Sequence, residues 1–159
     1  MADARSRTVV VRAALPTDLP ALRRVYRRSS WSNEGDRALL TQHPELLDFA
    51  ETAVREGRTW VATAGGQLVG FYSTAIKADV VELEDLFVDS DWMRQGVGRA
   101  LIEHAAAGAS ASGSAAIEVD ANEHAHSFYK SVGFTDRGEV SVQYGTAMRM
   151  RLDMTSAQR

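Results

Sequence analysis

The passage from Val80 to Ala106 constrains the fold more than any other part of the chain. It opens with a β-branched and acidic run, Val80-Val81-Glu82-Leu83-Glu84-Asp85-Leu86-Phe87-Val88-Asp89, and closes with an apolar helical pattern that includes Leu101 and Ile102. Between the two stand Arg94-Gln95-Gly96-Val97-Gly98-Arg99. A strand that meets a paired-glycine turn and then a helix commits this segment to a strand–turn–helix unit. The turn has a chemistry of its own. Glycine lets the backbone approach a ligand closely, and the unpaired amides at a helix N-terminus favour an anion. Arg94 and Arg99 flank the turn and suit phosphate oxygens. A phosphate loop ending in Gly-Lys-Ser/Thr is absent. A dinucleotide fingerprint needs a third glycine where Leu101 stands, although Glu118 follows near where a ribose-binding acid would sit. The pyrophosphate arm of coenzyme A and a plain glycine-containing turn both remain open from this segment alone.

The rest of the pattern supplies a sheet for that unit to join. Thr8 to Arg12 reads as a strand. Pro16-Thr17-Asp18 reads as a turn and helix cap, followed by Leu19, Leu22, Val25 and Tyr26 at helical spacing. Ser29 to Arg37 is polar and turn-prone. Leu39 to Arg55 carries a second helical pattern, interrupted by Pro44. Arg58 to Thr63 and Leu68 to Ile76 pair across Gly65–Gly66. After the glycine turn the expected helix runs through Ala106. A small-residue connector follows from Gly108 to Ser114, then a strand from Ala115 to Asp120. A helix from Glu123 to Val132 ends at Gly133, and strands from Phe134 to Val142 and Ala147 to Leu152 close the chain. Strand runs with interspersed helices imply a mixed, partly antiparallel α/β sheet. A length of 159 residues suits one domain, expected over residues 8–154, with 1–7 and 155–159 as loose termini.

Composition narrows the chemistry. No cysteine is present, which removes thiolate nucleophiles, cysteine zinc sites and disulfide scaffolds and suits a cytoplasmic location. The four histidines, His43, His104, His124 and His126, match no zinc-protease spacing, so no metal is expected. Lys plus Arg is 18 against 21 for Asp plus Glu, a net charge of −3, which argues against nucleic acid as the main partner. The uncharged stretch from Trp60 to Ile76 contains Gly65–Gly66, Gln67 and Gly70. It reads as two strands and a turn rather than a membrane span, and no membrane partner is expected.

A second constellation stands downstream: Asn122, then Phe128-Tyr129, then Gly133-Phe134. Together with Gly96-x-Gly98 it resembles the GCN5-related N-acetyltransferases, the GNAT superfamily. That family opens a helix with an Arg/Gln-x-x-Gly-x-Gly/Ala acetyl-CoA turn and places an Asn…Phe-Tyr…Gly-Phe motif after the next strand. The resemblance spans about residues 8–152, nearly the whole chain. One position departs from it: Met93 stands where the family has the first Arg or Gln, with Arg94 one place later. The expectation there is weakened rather than abolished coenzyme binding.

The resemblance implies a fold of about seven strands and four helices and acetyl transfer from acetyl-CoA to a primary amine by direct attack. A lysine-like amine is neutral about one time in a thousand at pH 7, which costs roughly 4 kcal/mol, so a base is needed. The resemblance assigns that role to Glu84, with Asp85 and Glu82 as amine-binding partners and Glu82 or Glu118 as fallback bases. Alternation along the strand sets Glu82 and Glu84 on one face and Asp85 on the other. The backbone of Leu86, Phe87 and Val88 would meet the thioester. The turn Arg94, Gln95, Gly96, Val97, Gly98 and Arg99 would hold pyrophosphate. Asn122 would bind the pantetheine arm, though Asn also caps helices well. Tyr129 would protonate the departing thiolate, and a buried core tyrosine is its plainer reading. Trp31 is the candidate for the acceptor pocket. Dimers are common in the family, so a homodimer is a further expectation. A non-catalytic acyl-CoA-binding module of the same fold and a dinucleotide oxidoreductase are the rival functions.

Overall fold

The computed structural model describes residues 8–154, so the expectation of loose termini at 1–7 and 155–159 lies outside the described residues. The elements are β1 (Val9–Ala13), α1 (Leu19–Trp31), α2 (Arg37–Gln42), α3 (Thr52–Arg55), β2 (Thr59–Ala64), β3 (Gln67–Lys77), β4 (Val80–Val88), α4 (Val97–Ala111), β5 (Ala116–Ala121), α5 (His126–Ser131), β6 (Thr135–Val142) and β7 (Gly145–Asp153). The strands form one mixed sheet in the order β1-β2-β3-β4-β5-β7-β6. β4 and β5 pair in parallel, while β1–β2, β2–β3, β5–β7 and β6–β7 are antiparallel. The chain divides into two compact units. One takes the residues up to Ser73 together with Asp85–Leu101, and the other takes Thr74–Glu84 with the residues from Ile102 onward.

The first unit is built on the apolar face of α1. Leu22 and Val25, three apart and fully buried, pack with Val54, Val61, Leu68 and Phe71. Tyr26, Phe71 and Phe87 complete this core, the Tyr26 and Phe87 rings meeting edge to face at 4.9 Å. Gly70 on β3 lies where a side chain has no room. A Cβ there would stand 3.0 Å from the Phe87 carbonyl and 3.0 Å from Val97 Cγ1, so the missing side chain lets β4 and the start of α4 close on β3. The second unit buries Ile102, Ala105 and Ala109 of α4, Ile117 and Val119 of β5, Tyr129, Phe134 and Met150.

Several boundaries differ from the sequence expectation for physical reasons. Asp18 stands at the N-cap position of α1, as expected, but its side chain makes no capping bond to that helix. It ends a 3-10 turn (Pro16–Asp18) and reaches back to accept from the Leu15 amide at 2.7 Å while pairing with Arg12 at 2.8 Å. α1 runs on to Trp31, because buried Ser29 belongs to its inner face and Ser32 closes its last turn. The helical pattern from Leu39 to Arg55 is split further than expected, since Pro44 converts the middle into a 3-10 turn, Pro44–Leu47. α4 reaches Ala111 rather than Ala106. Its alanine-rich end has the best helix propensity, and open space around Gly108 leaves only a propensity cost of about 1 kcal/mol there. α5 begins at His126 rather than Glu123, because Asn122 to Ala125 form a turn.

Candidate active site

Two regions hold most of the residues singled out in the sequence. In the first unit, β4 ends at Val88 and the chain passes through a 3-10 turn (Ser90–Trp92) into α4. Arg94 and Gly96 both adopt left-handed backbone, at φ 62° and 86°. Only the second is a glycine, so Arg94 holds a conformation that L side chains disfavour. The helix starts with the Ala100 amide donating to the Gly96 carbonyl at 3.0 Å. That leaves the preceding amides of the first turn without intrahelical acceptors. Gly96 faces open space, Arg94, Gln95 and Arg99 are exposed, and no acid lies in the first turn of α4. This donor set suits a diphosphate. Val97 is the exception among the turn residues. Its side chain is buried, 1% exposed, so it anchors the helix and offers only backbone to a ligand.

The same unit contains Leu86, Phe87, Val88, Asp85 and Trp31. The Phe87 ring is committed to packing against Tyr26 and Phe71. Burial, then Asp85 and Asp48, push the Tyr26 phenol above its ordinary range, and its hydroxyl donates to the Leu46 carbonyl at 2.7 Å. Trp31 is 43% exposed at the end of α1, with the Arg37 guanidinium 5.5 Å from its ring and Arg37 Nε donating to its carbonyl.

In the second unit, the parallel ladder pairs Val80 with Ala116, Val81 with Ile117 and Glu82 with Glu118 among the described residues. Both strands continue past that point. There a cavity of about 290 Å³ opens, lined by Glu82, Leu83, Glu84, Glu118, Val119, Asp120 and Arg149. Glu82 and Glu84 share the cavity, as strand alternation requires, while Val81 and Leu83 are buried. The carboxylates differ in their partners. Glu118 accepts from Arg151 at 3.0 Å and Arg149 at 3.5 Å. Asp120 takes Arg149 in a two-pronged pair at 2.8 and 3.2 Å, the main reason that guanidinium is held above its ordinary range. Glu82 faces Lys77 at 3.3 Å, and Glu84 is exposed.

Asn122 and Tyr129 also belong to the second unit. Asn122 Oδ1 accepts from the Ala125 amide at 3.1 Å, so it performs the capping role, and it lines a separate cavity of about 310 Å³ with Glu123, His126 and Glu139. Tyr129 is 5% exposed and meets Phe128 and Phe134 edge to face, each at 5.3 Å. Gly133, at φ 104°, ends the segment as expected. The structure therefore gathers Glu82, Glu84 and Glu118 in one cavity and Arg94 to Arg99 in one turn. Neither Asp85 nor Trp31 lines that cavity.

Four residues with evident roles escaped the sequence. Asp120 and Arg149 come together through the β5–β7 register, which no local pattern announces. Arg28 and Asp89 form the second pair, an ion pair at 3.0 Å in the first unit between residues far apart in the chain. Asp89 alone left a signal, as an acid directly after the apolar stretch Leu86-Phe87-Val88. Among the described residues no group of three or more His, Asp or Glu has the arrangement of a metal site, and no helix is long and apolar enough to cross a membrane.

Known proteins place this geometry. The model of the acetyltransferase (GNAT) domain family matches residues 28–154. The [ribosomal protein bS18]-alanine N-acetyltransferase of Escherichia coli K12 is 30% identical over 126 residues, covering 76% of each chain. The peptidyl-lysine N-acetyltransferase YjaB of the same organism is 38% identical over 99 residues, 60% of this chain and 63% of its own. Among solved structures, the PaiA N-acetyltransferase of Thermoplasma acidophilum, determined in complex with coenzyme A, superposes with a TM-score of 0.70 at 19% identity, over 92% of this chain and 99% of that one. The mixed sheet, the glycine turn and the family match lead to one conclusion: the chain belongs to the GNAT family of acetyl-CoA-dependent N-acetyltransferases.

Proposed function

We propose that residues 8–154 act as one GNAT domain that acetylates a primary amine carried by a protein. The observation that carries this reading is the cavity at the end of the β4–β5 ladder, where Glu82 and Glu84 stand together. A protonated amine entering such a cavity meets negative side chains, and a carboxylate within reach takes its proton before attack. Glu84 is the base in this reading, on the family resemblance and on its place in the cavity beside Glu82. Glu82 helps bind the ammonium form. The two curated relatives supply the acceptor class, since one is named for an alanine of a ribosomal protein and the other for peptidyl-lysine.

Acetyl-CoA, when bound, supplies the activated acetyl thioester. The chain's own residues bind and orient it in this reading. The α4 amides with Arg94, Gln95 and Arg99 hold the pyrophosphate, the Leu86–Val88 backbone meets the thioester, and Asn122 holds the pantetheine arm. The Tyr129 hydroxyl delivers a proton to the leaving sulfur. A positioned phenol hydroxyl can act as a general acid of this kind. A cytoplasmic location fits a cysteine-free chain that draws on acetyl-CoA.

Thiol release from acetyl-CoA, measured with peptides bearing a free α-amine, a lysine ε-amine or neither, tests the proposal. Turnover with one of the amine peptides, and none with the peptide blocked at both, is the expected result. Turnover only with free small amines overturns the acceptor class. Tight coenzyme binding with no turnover on any amine returns the reading to a non-catalytic acyl-CoA-binding module.

A further inference from the structure

We propose that Arg28 and Asp89 are a positioning pair that holds the β4–α4 turn in its ligand-ready shape, so that coenzyme affinity depends on α1 as well as on the turn itself. The inference rests on the reading above that this turn takes the pyrophosphate.

Asp89 follows the last residue of β4 and is 2% exposed. Its backbone is fixed from both sides. Its amide donates to the Val69 carbonyl at 2.8 Å, and its own carbonyl accepts from the Trp92 amide at 2.8 Å. Its carboxylate accepts from Arg28 Nε at 3.0 Å, from Arg28 Nη2 at 3.3 Å and from the Asp91 amide at 3.0 Å. The same Arg28 Nη2 reaches Asp91 Oδ2 at 2.8 Å. One guanidinium on α1 thus grips both Asp89, which caps the 3-10 turn, and Asp91 within it. From there the connection runs on, as Gln95 Nε2 donates to the Asp91 carbonyl at 3.1 Å, one residue before Gly96.

Two physical needs are met by this arrangement. The first is conformational. Arg94, a residue with a side chain, sits at φ 62°, which is held only where the surroundings over-determine it. A turn fastened at Asp89, Asp91 and Gln95 supplies that restraint. The second is electrostatic. Asp89 and Asp91 place two negative charges in the segment leading to an anion-binding turn, where they would oppose a diphosphate. Arg28 compensates both, and a planar fork does so with defined direction, which a lysine cannot match. Met93 stands in the place of the family's first arginine or glutamine, so this chain binds through turn shape more than through a side chain at that position.

The test compares wild type, Arg28→Met, Arg28→Lys and Asp89→Asn. It uses coenzyme A and pantetheine binding by calorimetry, together with kcat and KM for acetyl-CoA and for S-acetylpantetheine, which lacks the pyrophosphate. The expected result is a tenfold or greater rise in Kd for coenzyme A and in KM for acetyl-CoA in Arg28→Met. Pantetheine affinity and the S-acetylpantetheine parameters should hold within twofold. Arg28→Lys keeps the charge without the fork and should lose a smaller factor, which keeps the proposal open to refutation if the methionine variant fails to fold. Unchanged coenzyme A affinity in the folded variants overturns the positioning role, as does an equal loss with pantetheine. If wild type itself binds coenzyme A no more tightly than pantetheine, the reading of the turn as a pyrophosphate site fails instead.

Discussion

The glycine turn and the acidic cavity divide labour between backbone and side chain in opposite ways. In the turn, the groups proposed to face the ligand are amides, and the supports lie behind it: Gly70 by having no side chain, Val97 by being buried, and Arg28 with Asp89 as the proposed fastening of the entry. In the cavity, the strands supply a fixed ladder, and the proposed chemistry rests on side chains, those of Glu82, Glu84 and Glu118. A backbone site is therefore damaged through its supports, whereas a side-chain site is damaged one functional group at a time. The first kind of damage appears in affinity and stability, the second in turnover and pH dependence.

The largest effect is expected in the cavity. Glu84→Gln should lower turnover near neutral pH by about 10²–10³-fold and recover part of it at high pH, where the amine is already neutral. Coenzyme A affinity should be unchanged. Glu118→Gln is the companion variant. If it loses more than Glu84→Gln and shows the high-pH recovery itself, the base is Glu118 despite its arginine partners. Tyr129→Phe comes next, with turnover down about 10²-fold and folding nearly intact, since the ring still packs between Phe128 and Phe134. Turnover equal to wild type would leave Tyr129 as a packing residue only.

The turn should respond in the other currency. Gly70→Val forces a side chain against the Phe87 carbonyl and Val97 Cγ1, each 3.0 Å from the added Cβ, an overpacking cost of about 1–3 kcal/mol. Because those contacts carry the start of α4, coenzyme A affinity should fall several-fold along with the melting temperature. Retention of full affinity in a destabilised variant would separate the turn from its packing and weaken the comparison.

The same division explains what the sequence disclosed. The left-handed Gly96, the Asn122 cap and the Gly133 helix end were legible, because each is fixed within a few residues, while the roles of Glu84 and Tyr129 are proposals. The strand alternation that put Glu82 and Glu84 in one cavity was legible for the same reason. Arg149 opposite Asp120 was not, since it depends on a register between β5 and β7 set by the whole antiparallel pair. Gly70 read as an ordinary strand residue, because only the tertiary neighbours show that a Cβ has no place there. Helix ends were misplaced at Ala106 and Glu123, where propensity and a local asparagine turn decided the outcome over the polar or apolar pattern. Arg28 left no local signal, because its partner Asp89 lies 61 residues on in the chain.

The smallest effect tests whether scaffolding charge matters when it is not fastened to the turn. Asp18 and Arg12 form such a pair in the first unit, at 2.8 Å, with Asp18 also accepting from the Leu15 amide. Arg12's hydrogen bonds, more than burial opposes, hold the Asp18 carboxyl below its usual range. A carboxylate lowered on folding stabilises fully above its unfolded value near about 3.9 and loses that contribution as pH falls through the folded one. Asp18→Asn should therefore cost about 1 kcal/mol at pH 7, a modest figure because the Arg12 side chain is 41% exposed. The gap from wild type should narrow as the pH drops below about 4, since wild type then surrenders the same pair. Coenzyme A affinity should not move at pH 7. Melting curves at pH 7 and pH 3, with coenzyme A calorimetry at pH 7, check both halves. A gap that stays constant with pH would assign the loss to the Leu15 hydrogen bond rather than to charge. A fall in coenzyme A affinity would show that the first unit transmits strain to its turn by routes other than Arg28 and Gly70.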